Sequence, residues 1–398
     1  MRLASTLFRP TRMRVGYDVS ATSQEKTGCS WYADSLIRAM VEEHPEHEYV
    51  LYHHFGAISN PDAERGTKLE RANVTHPYLT LTVSEAKAEW NQISQGTIPS
   101  GAPDIIQANF FDCPRIETIP VVYVVYDLTF LVCPELLAIR HYFSCLPGLC
   151  SALRNASGFI FISEYSKNEF ERMFPTWLSK TQIPNRVIPL ASRGAPRALM
   201  KNPGTESWLT VGTIEPRKNH ATLIAAHDLY WERSSFRRPL TLVGGKGWLS
   251  EDVHQLISTR EKEGRLIYAG YVTDDELNRL YASAFALVYS SHYEGFGLPV
   301  LEAMERGVPV ISSSATSLPE VGGNTVIYFN PGSAEELAEK MIELENDEFF
   351  RLKLSTEGKE RASLFSWKRV ADETLEFHQT VRADWESRRS AAHRKVNS

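Results

Sequence analysis

The densest run of chemistry-bearing residues is FALVYSSHYEGFGLPVLE, residues 285–302. An apolar stretch that reads as a strand ends in Ser290 and Ser291. A loop with Glu294, Gly295, Phe296 and Gly297 follows, and Pro299 stands where a helix can begin, since its missing N–H costs nothing in a first turn. The spacing predicts a helix over 299–306 that stops at Gly307. Two glycines let the backbone approach a ligand closely. The amides of Phe296, Gly297 and Leu298 would open a helix N-terminus, where free donors and the helix dipole favour an anion such as phosphate. Glu294 lies at the lip of the turn and Glu302 about one helical turn beyond Pro299, so both carboxylates can face one ligand and accept from vicinal sugar hydroxyls. The plain alternative is an ordinary glycine turn with Glu302 complementing the helix N-terminus.

A second stretch, LTVGTIEPRKNH at 209–220, repeats the pattern. A strand ends at Gly212, Asn219 is placed to cap the next helix, and Arg217 and Lys218 stand just before that cap. Cations there oppose the helix dipole unless an anion offsets them, so a phosphate is expected; a solvated basic turn is the bland alternative. A third candidate is Gly28 in TGCS, at the first strand-to-helix turn, where a glycine admits a diphosphate. Neither G-x-G-x-x-G nor G-x-x-x-x-G-K-[ST] occurs there, so a nicotinamide enzyme or a P-loop kinase is not indicated. Gly244, Gly245, Lys246 and Gly247 match neither spacing and read as a cleft loop. His53, His54, His220, His227 and His292 show no ligand spacing with cysteine or carboxylate, and Asp274 and Asp275 belong to a helix start, so no metal is expected. The five cysteines are odd in number, lie in the first half and form no C-x-x-C, which argues for a reducing compartment.

Apolar strands alternating with amphipathic helices must position these turns. In the first half strands are expected at 13–19, 49–53, 104–108, 121–126, 158–162 and 186–190, with helices at 31–43, 136–152 and 166–173; residues 56–101 read as irregular. In the second half strands are expected at 208–211, 240–243, 266–269, 286–289, 309–312 and 326–328. Thr273 with Glu276, and Ser333 with Glu336, form capping-box patterns. Such alternation means parallel sheets covered on both faces, here two doubly wound domains facing across a cleft: residues 1–195 and 205–365, joined through the Gly-, Pro- and Ser-rich segment 192–207. A last helix from 367 to 385, with Val370, Thr374, Phe377, Val381 and Trp385 on one face, is expected to pack back towards the first domain, and residues 388–398 to fray.

With 398 residues, 42% of them hydrophobic, the chain can build more than one core, and its formal net charge of −6 disfavours nucleic acid as a partner. No signal-peptide core and no apolar run long enough to span a bilayer are present, which points to the cytoplasm and leaves peripheral contact with the inner membrane face open.

The second half resembles the retaining family 4 glycosyltransferases of the GT-B fold. The resemblance is carried by Val211-Gly212 with Arg217-Lys218-Asn219, by Gly270-Tyr271-Val272 and Asp275-Glu276-Leu277, by Glu294-Gly295-Phe296-Gly297-Leu298-Pro299 with Glu302-Ala303, by Gly307-Val308-Pro309-Val310 and by Leu318-Pro319-Glu320-Val321. Glu294 and Glu302 form that family's Glu-x7-Glu pair. The first half matches through Gly28, Tyr126-Asp127-Leu128 and Ile162-Ser163. The resemblance implies two Rossmann-like domains and a nucleoside-diphosphate sugar, of GDP-mannose or UDP-glucose type, with its base near Val272. Glu302 would take the ribose hydroxyls. Lys218, the 296–298 amides and Gly28 would take the diphosphate, and Glu294 a hydroxyl of the sugar. Lysine and backbone donors would replace a metal, so no cofactor is implied. The acceptor would be a saccharide or lipid-linked saccharide held by the first domain, in polysaccharide or glycolipid synthesis. Retention would follow from a same-face internal return, or else from a double displacement on a carboxylate.

Several positions depart from the family. Tyr126 stands in place of a histidine, so it is expected to hydrogen-bond the sugar with its hydroxyl. Thr213 follows Gly212 where an arginine is usual, which leaves Arg217 to supply the charge. Leu190-Ala191 replaces Asn-Gly. Asp127 and His292 are further candidates to line the sugar or acceptor side. Segment 136–152, with Arg140 and His141, followed by Arg154, could meet a lipid surface. The competing readings are another GT-B enzyme, an epimerase or a phosphorylase, and a non-catalytic sugar-binding protein.

Overall fold

The computed structural model describes residues 12–22, 28–58, 62–194 and 206–396. Among these, the first lobe holds β1 (Arg14–Asp18), α1 (Gly28–Glu43), β2 (Glu48–Tyr52), β3 (Val74–Thr75), α2 (Val83–Ser94), β4 (Ile105–Ala108), β5 (Val121–Val125), α3 (Thr129–Val132), α4 (Ile139–Asn155), β6 (Gly158–Phe161), α5 (Glu164–Met173), α6 (Trp177–Thr181) and β7 (Asn185–Val187). The second holds β8 (Ser207–Val211), α7 (His220–Arg233), β9 (Leu240–Val243), α8 (Glu251–Lys262), β10 (Leu266–Gly270), α9 (Asp274–Ser283), β11 (Ala284–Tyr289), α10 (Leu298–Glu305), β12 (Val310–Ser313), α11 (Leu318–Gly322), β13 (Ile327–Phe329), α12 (Ala334–Asn346) and α13 (Glu348–Ala362). The chain ends in α14 (Trp367–Val396).

Both sheets are parallel. Their strand orders are β3-β2-β1-β4-β5-β6-β7 and β10-β9-β8-β11-β12-β13. In each, the order reverses beside the first strand, between β1 and β4 and between β8 and β11. The carboxyl ends at such a reversal are where open parallel sheets bind ligands. The turns singled out from the sequence follow β1, β8 and β11, so the topology alone brings them to the two switch points.

Each lobe has its own core, Tyr52, Trp90, Phe159 and Phe161 among others in the first and Trp208, Leu223 and Leu337 in the second. A further apolar cluster runs through both, from Tyr17 and Tyr126 to Phe296, Leu301 and Val381. α14 lies on α1, with Val370, Thr374, Phe377 and Val381 buried. The 3.6-residue spacing of these four produces the buried stripe.

Three expectations need correction. Residues 56–101 are not wholly irregular: α2 starts at a full capping box between Thr82 and Glu85, and its Trp90 packs edge-on against Phe55 and Tyr52. The helix expected over 136–152 starts at Ile139 and runs through Pro147 to Asn155, and Gly148 is there because a Cβ would lie 2.1 Å from the Phe111 carbonyl oxygen. The segment expected to fray stays helical to Val396, anchored by Arg388 to the carbonyls of Thr181 and Gln182; residues 397–398 lie outside the described residues. The caps at Thr273 and Ser333 do accept from Glu276 and Glu336, although the Glu336 carboxylate accepts from Asn330 rather than closing the box.

Candidate functional site at the two switch points

The turn after β8 and the turn after β11 are laced into one body. Ser290 Oγ donates to the carbonyls of Lys218 (2.9 Å) and Asn219 (3.1 Å), and the His292 amide donates to the Arg217 carbonyl (2.8 Å). Asn219 does precede α7, but in a left-handed conformation (φ 56°) without capping it. Its side-chain amide donates instead to the carbonyls of Ser290 and Pro331.

Arg217, Lys218 and Glu294 meet on this body. Glu294 Oε1 accepts from Lys218 Nζ (2.6 Å), Tyr289 Oη (2.7 Å) and Ser291 Oγ (2.6 Å), while Oε2 accepts from Arg217 Nη1 (2.8 Å). Lys218 also donates to Tyr289 Oη (2.8 Å), and Arg217 holds Glu215 with its other arm. Burial raises the Glu294 carboxyl, but the Arg217 and Lys218 charges and the bonds from Lys218 and Ser291 outweigh it and bring it down to about 2. Burial pushes the Lys218 ammonium down against the pull of Glu294. Removing one member would leave a buried charge unpaired, at a cost of roughly 3–5 kcal/mol. Two valences stay open: the third N–H of Lys218 and a lone pair on Glu294 Oε2. The lysine stem runs alongside Gly212, where a Cβ would lie in van der Waals contact with its Cδ at 3.4 Å.

Beyond Glu294 the chain makes a tight turn into α10. Gly297 is left-handed (φ 110°), and a Cβ on it would meet Leu318 at 2.6 Å. α10 begins at Leu298, one residue before Pro299, and Gly307 follows it in the left-handed region. Among the described residues no acceptor meets the amides of Phe296, Gly297 or Leu298. Phe296 is buried against Phe365. Gly28 opens α1 at the end of the first turn, with nothing within 4 Å of where a Cβ would be. Val272 is partly buried after Gly270 and an exposed Tyr271.

Glu302 lies apart from the Lys218 group and is already engaged. It is 1% exposed and takes Arg193 as a fork, Nε to Oε1 at 2.5 Å and Nη2 to Oε2 at 2.9 Å, while Tyr281 Oη donates to Oε2 at 3.1 Å. One lone pair, on Oε1, remains, so the bidentate grip on two hydroxyls expected from the sequence does not fit this carboxylate as it is held. Nothing at 192–194 had been expected beyond a connector; of that connector, residues 195–205 lie outside the described residues.

The first lobe closes on the same body. A Cβ on Gly295 would lie 2.3 Å from the Tyr126 carbonyl oxygen, and Ser163 Oγ donates to the Gly295 carbonyl (2.7 Å). Glu320 accepts from the amides of Glu164 and Tyr165, the start of α5. Tyr126 itself is buried edge-on against Tyr32, and its hydroxyl is shut off from solvent without a partner, which goes against a sugar contact through that hydroxyl. Asp127 accepts from the amide and hydroxyl of Thr129. His292 is exposed at the rim. Asp18, at the end of β1, accepts from Ser20 and Asn109; burial dominates and its carboxyl is raised to about 7.

Among the described residues one group of three potential metal ligands comes together, His44, Glu46 and His47, far in sequence from the other turns. It does not suit a metal: His47 Nδ1 accepts from the Met13 amide, so in neutral histidine Nε2, the nitrogen facing Glu46, carries the proton.

Residues 195–361 match the family model of glycosyl transferases group 1. O-antigen chain mannosyltransferase B of Escherichia coli is 32% identical over 282 residues, 69% of this chain and 73% of that protein. The serotype-specific mannosyltransferase WbdA of Escherichia coli is 35% identical over 175 residues, 43% of this chain but 21% of that longer protein. Among solved structures, sucrose-phosphate synthase from Thermosynechococcus elongatus superimposes with a TM-score of 0.70 at 20% identity, covering 94% of this chain and all of that one. Anabaena HepE in complex with UDP and glucose superimposes with a TM-score of 0.67 at 18% identity, covering 93% of this chain and all of that one. The two solved structures speak for the fold, and the sequence relatives for the family. The chain belongs to the group 1 glycosyltransferases and is a GT-B enzyme of that family.

Proposed function

We propose that this enzyme is a retaining, metal-independent hexosyltransferase. It moves a hexose from a nucleoside-diphosphate sugar to a saccharide or lipid-linked saccharide during surface polysaccharide or glycolipid synthesis, on the cytoplasmic side of the membrane. The observation that carries the reading is the Lys218–Tyr289–Glu294 group at a sheet switch point, beside a helix start whose amides meet no acceptor. The free N–H of Lys218 and the 296–298 amides suit the diphosphate, on which charge builds as the glycosidic bond breaks. A preorganised donor of this kind contributes about 3–4 kcal/mol to the transition state. The open lone pair of Glu294 Oε2 suits one sugar hydroxyl. Glu294, paired with two cations, is a weak nucleophile, which favours internal return over double displacement. GDP-mannose is the favoured donor because the Escherichia coli relatives are named mannosyltransferases, with a UDP-sugar as the alternative.

A lipid-linked acceptor fits α4. Ile139 (72% exposed), Phe143 (68%), Pro147 and Cys150 share one face, Arg140 and Arg154 flank it, and the helix has no acidic residue. The test is turnover of GDP-mannose or UDP-glucose with a lipid-linked saccharide in the presence of EDTA, reading the anomeric configuration of the product by NMR. Retention without metal supports the reading. An inverted product, strict metal dependence, or conversion of the donor without any acceptor contradicts it.

A further inference from the structure

Three consecutive residues of the connector are fastened to one face of α10. Ser192 Oγ donates to Glu305, Arg193 forks onto Glu302, and the Gly194 carbonyl accepts from Arg306 Nη2 at 2.8 Å. Trp367 of the last helix clamps the other side, its Nε1 donating to the Ser192 carbonyl at 2.7 Å. Arg193 also lies over the Trp31 ring of α1 at 5.4 Å and within 3.7 Å of Asp274. One side chain of the connector thus touches helices of both lobes.

We infer that Arg193 is a positioning residue for donor binding: its fork aims the Glu302 carboxylate at the ribose and ties that carboxylate to the connector between the lobes. The inference rests on the proposed nucleoside-diphosphate-sugar donor and adds that Glu302 accepts one ribose hydroxyl through its remaining lone pair on Oε1. A carboxylate at 1% exposure requires a counter-charge, and a bidentate guanidinium supplies it while fixing the plane of the group. With Arg193 and Tyr281 in place, the single open lone pair on Oε1 is presented in one direction. Lysine, a point charge without the fork, would neutralise Glu302 but not orient it.

The test is calorimetric titration of the full chain with GDP and with UDP, for the parent protein, Arg193→Met, Arg193→Lys, Glu302→Gln and the Arg193→Met/Glu302→Gln pair, each checked by thermal unfolding and followed by steady-state kinetics. Arg193→Met should weaken binding of the preferred nucleotide roughly 10- to 100-fold, with Arg193→Lys in between. KM for the donor should rise while KM for the acceptor stays put, and the double variant should be no weaker than the worse single one, since the two act as a unit. If Glu302→Gln weakens binding and neither Arg193 variant does, the positioning role is wrong and the ribose reading stands. If Glu302→Gln binds as tightly as the parent, the ribose reading fails and the inference with it.

Discussion

Two buried carboxylates at the two switch points, Glu294 after β11 and Asp18 at the end of β1, are held in opposite states. Glu294 sits between two cations and is taken down to about 2, whereas Asp18 has only hydroxyl and amide donors around it and is raised to about 7. The second lobe sets its charges in a balanced cluster, Arg217 and Lys218 against Glu215 and Glu294, with one N–H of Lys218 and one lone pair of Glu294 left open. Among the described residues, the first lobe sets at its switch point Asp18, an unpartnered Tyr126 hydroxyl and a small-residue start to α1. The difference teaches that similar strand ends can set a carboxylate in two ways: charged against paired cations in the second lobe, and raised by burial in the first.

The sharpest way to break this contrast is to neutralise its charged half. Glu294→Gln should lower kcat about 10²- to 10³-fold, the loss typical of one preorganised group. Mass spectrometry of the parent chain with donor alone should find no glycosyl-enzyme; a trapped adduct would make a carboxylate the nucleophile.

The other half is probed by pH. Asp18 titrates higher in the folded chain than the ordinary carboxylate range, so between about pH 4 and pH 7 the native state binds the extra proton, and stability falls as pH rises through that window, by up to about 4 kcal/mol. Glu294 works the other way: its contribution is present above about pH 4 and is lost only as pH falls towards 2. Urea unfolding of Asp18→Asn at several pH values should show a flatter slope from pH 4 to 7 than the parent. An unchanged slope would mean that Asp18 is not the group responsible.

A pair of glycines sharpens the comparison further. Gly295→Ala drives a methyl into the Tyr126 carbonyl and should destabilise the chain by about 1–3 kcal/mol, whereas Gly28→Ala meets open space and should leave the melting temperature unchanged while raising the donor KM. Equal effects on stability would contradict the distinction drawn between the two turns. The smallest effect is expected at the periphery: Ile139→Asp with Phe143→Asp should reduce co-sedimentation with phosphatidylglycerol vesicles and leave turnover on a soluble acceptor unaltered.

What was legible in the sequence was local. A strand end, a glycine and a charged residue within ten positions mark Gly212 with Lys218 and Glu294 with Gly297, and parallel topology then delivers both turns to one place. The alternation of apolar runs and capped helices likewise located most strands to within a residue or two. What escaped depends on partners far apart in the chain: Arg193 with Glu302 (109 positions), Ser163 with Gly295 (132) and the start of α5 with Glu320 (156). No periodicity encodes such pairs. Tyr126 misled because an aromatic hydroxyl beside Asp127 reads as a polar contact, while its ring is wanted in the core beside Tyr32. Segment 56–101 escaped because β3 is two residues long and α2 buries only Ala86, Trp90 and Ile93.

The central claim is that the Lys218–Glu294 group and the start of α10 hold a nucleoside diphosphate without a metal. It is tested most directly by titrating GDP and UDP in EDTA into the parent chain and into Lys218→Met. The account predicts that one nucleotide binds the parent in the presence of EDTA and that Lys218→Met weakens it at least about 100-fold. Failure of both nucleotides to bind the parent, or binding to Lys218→Met that matches the parent, would contradict it.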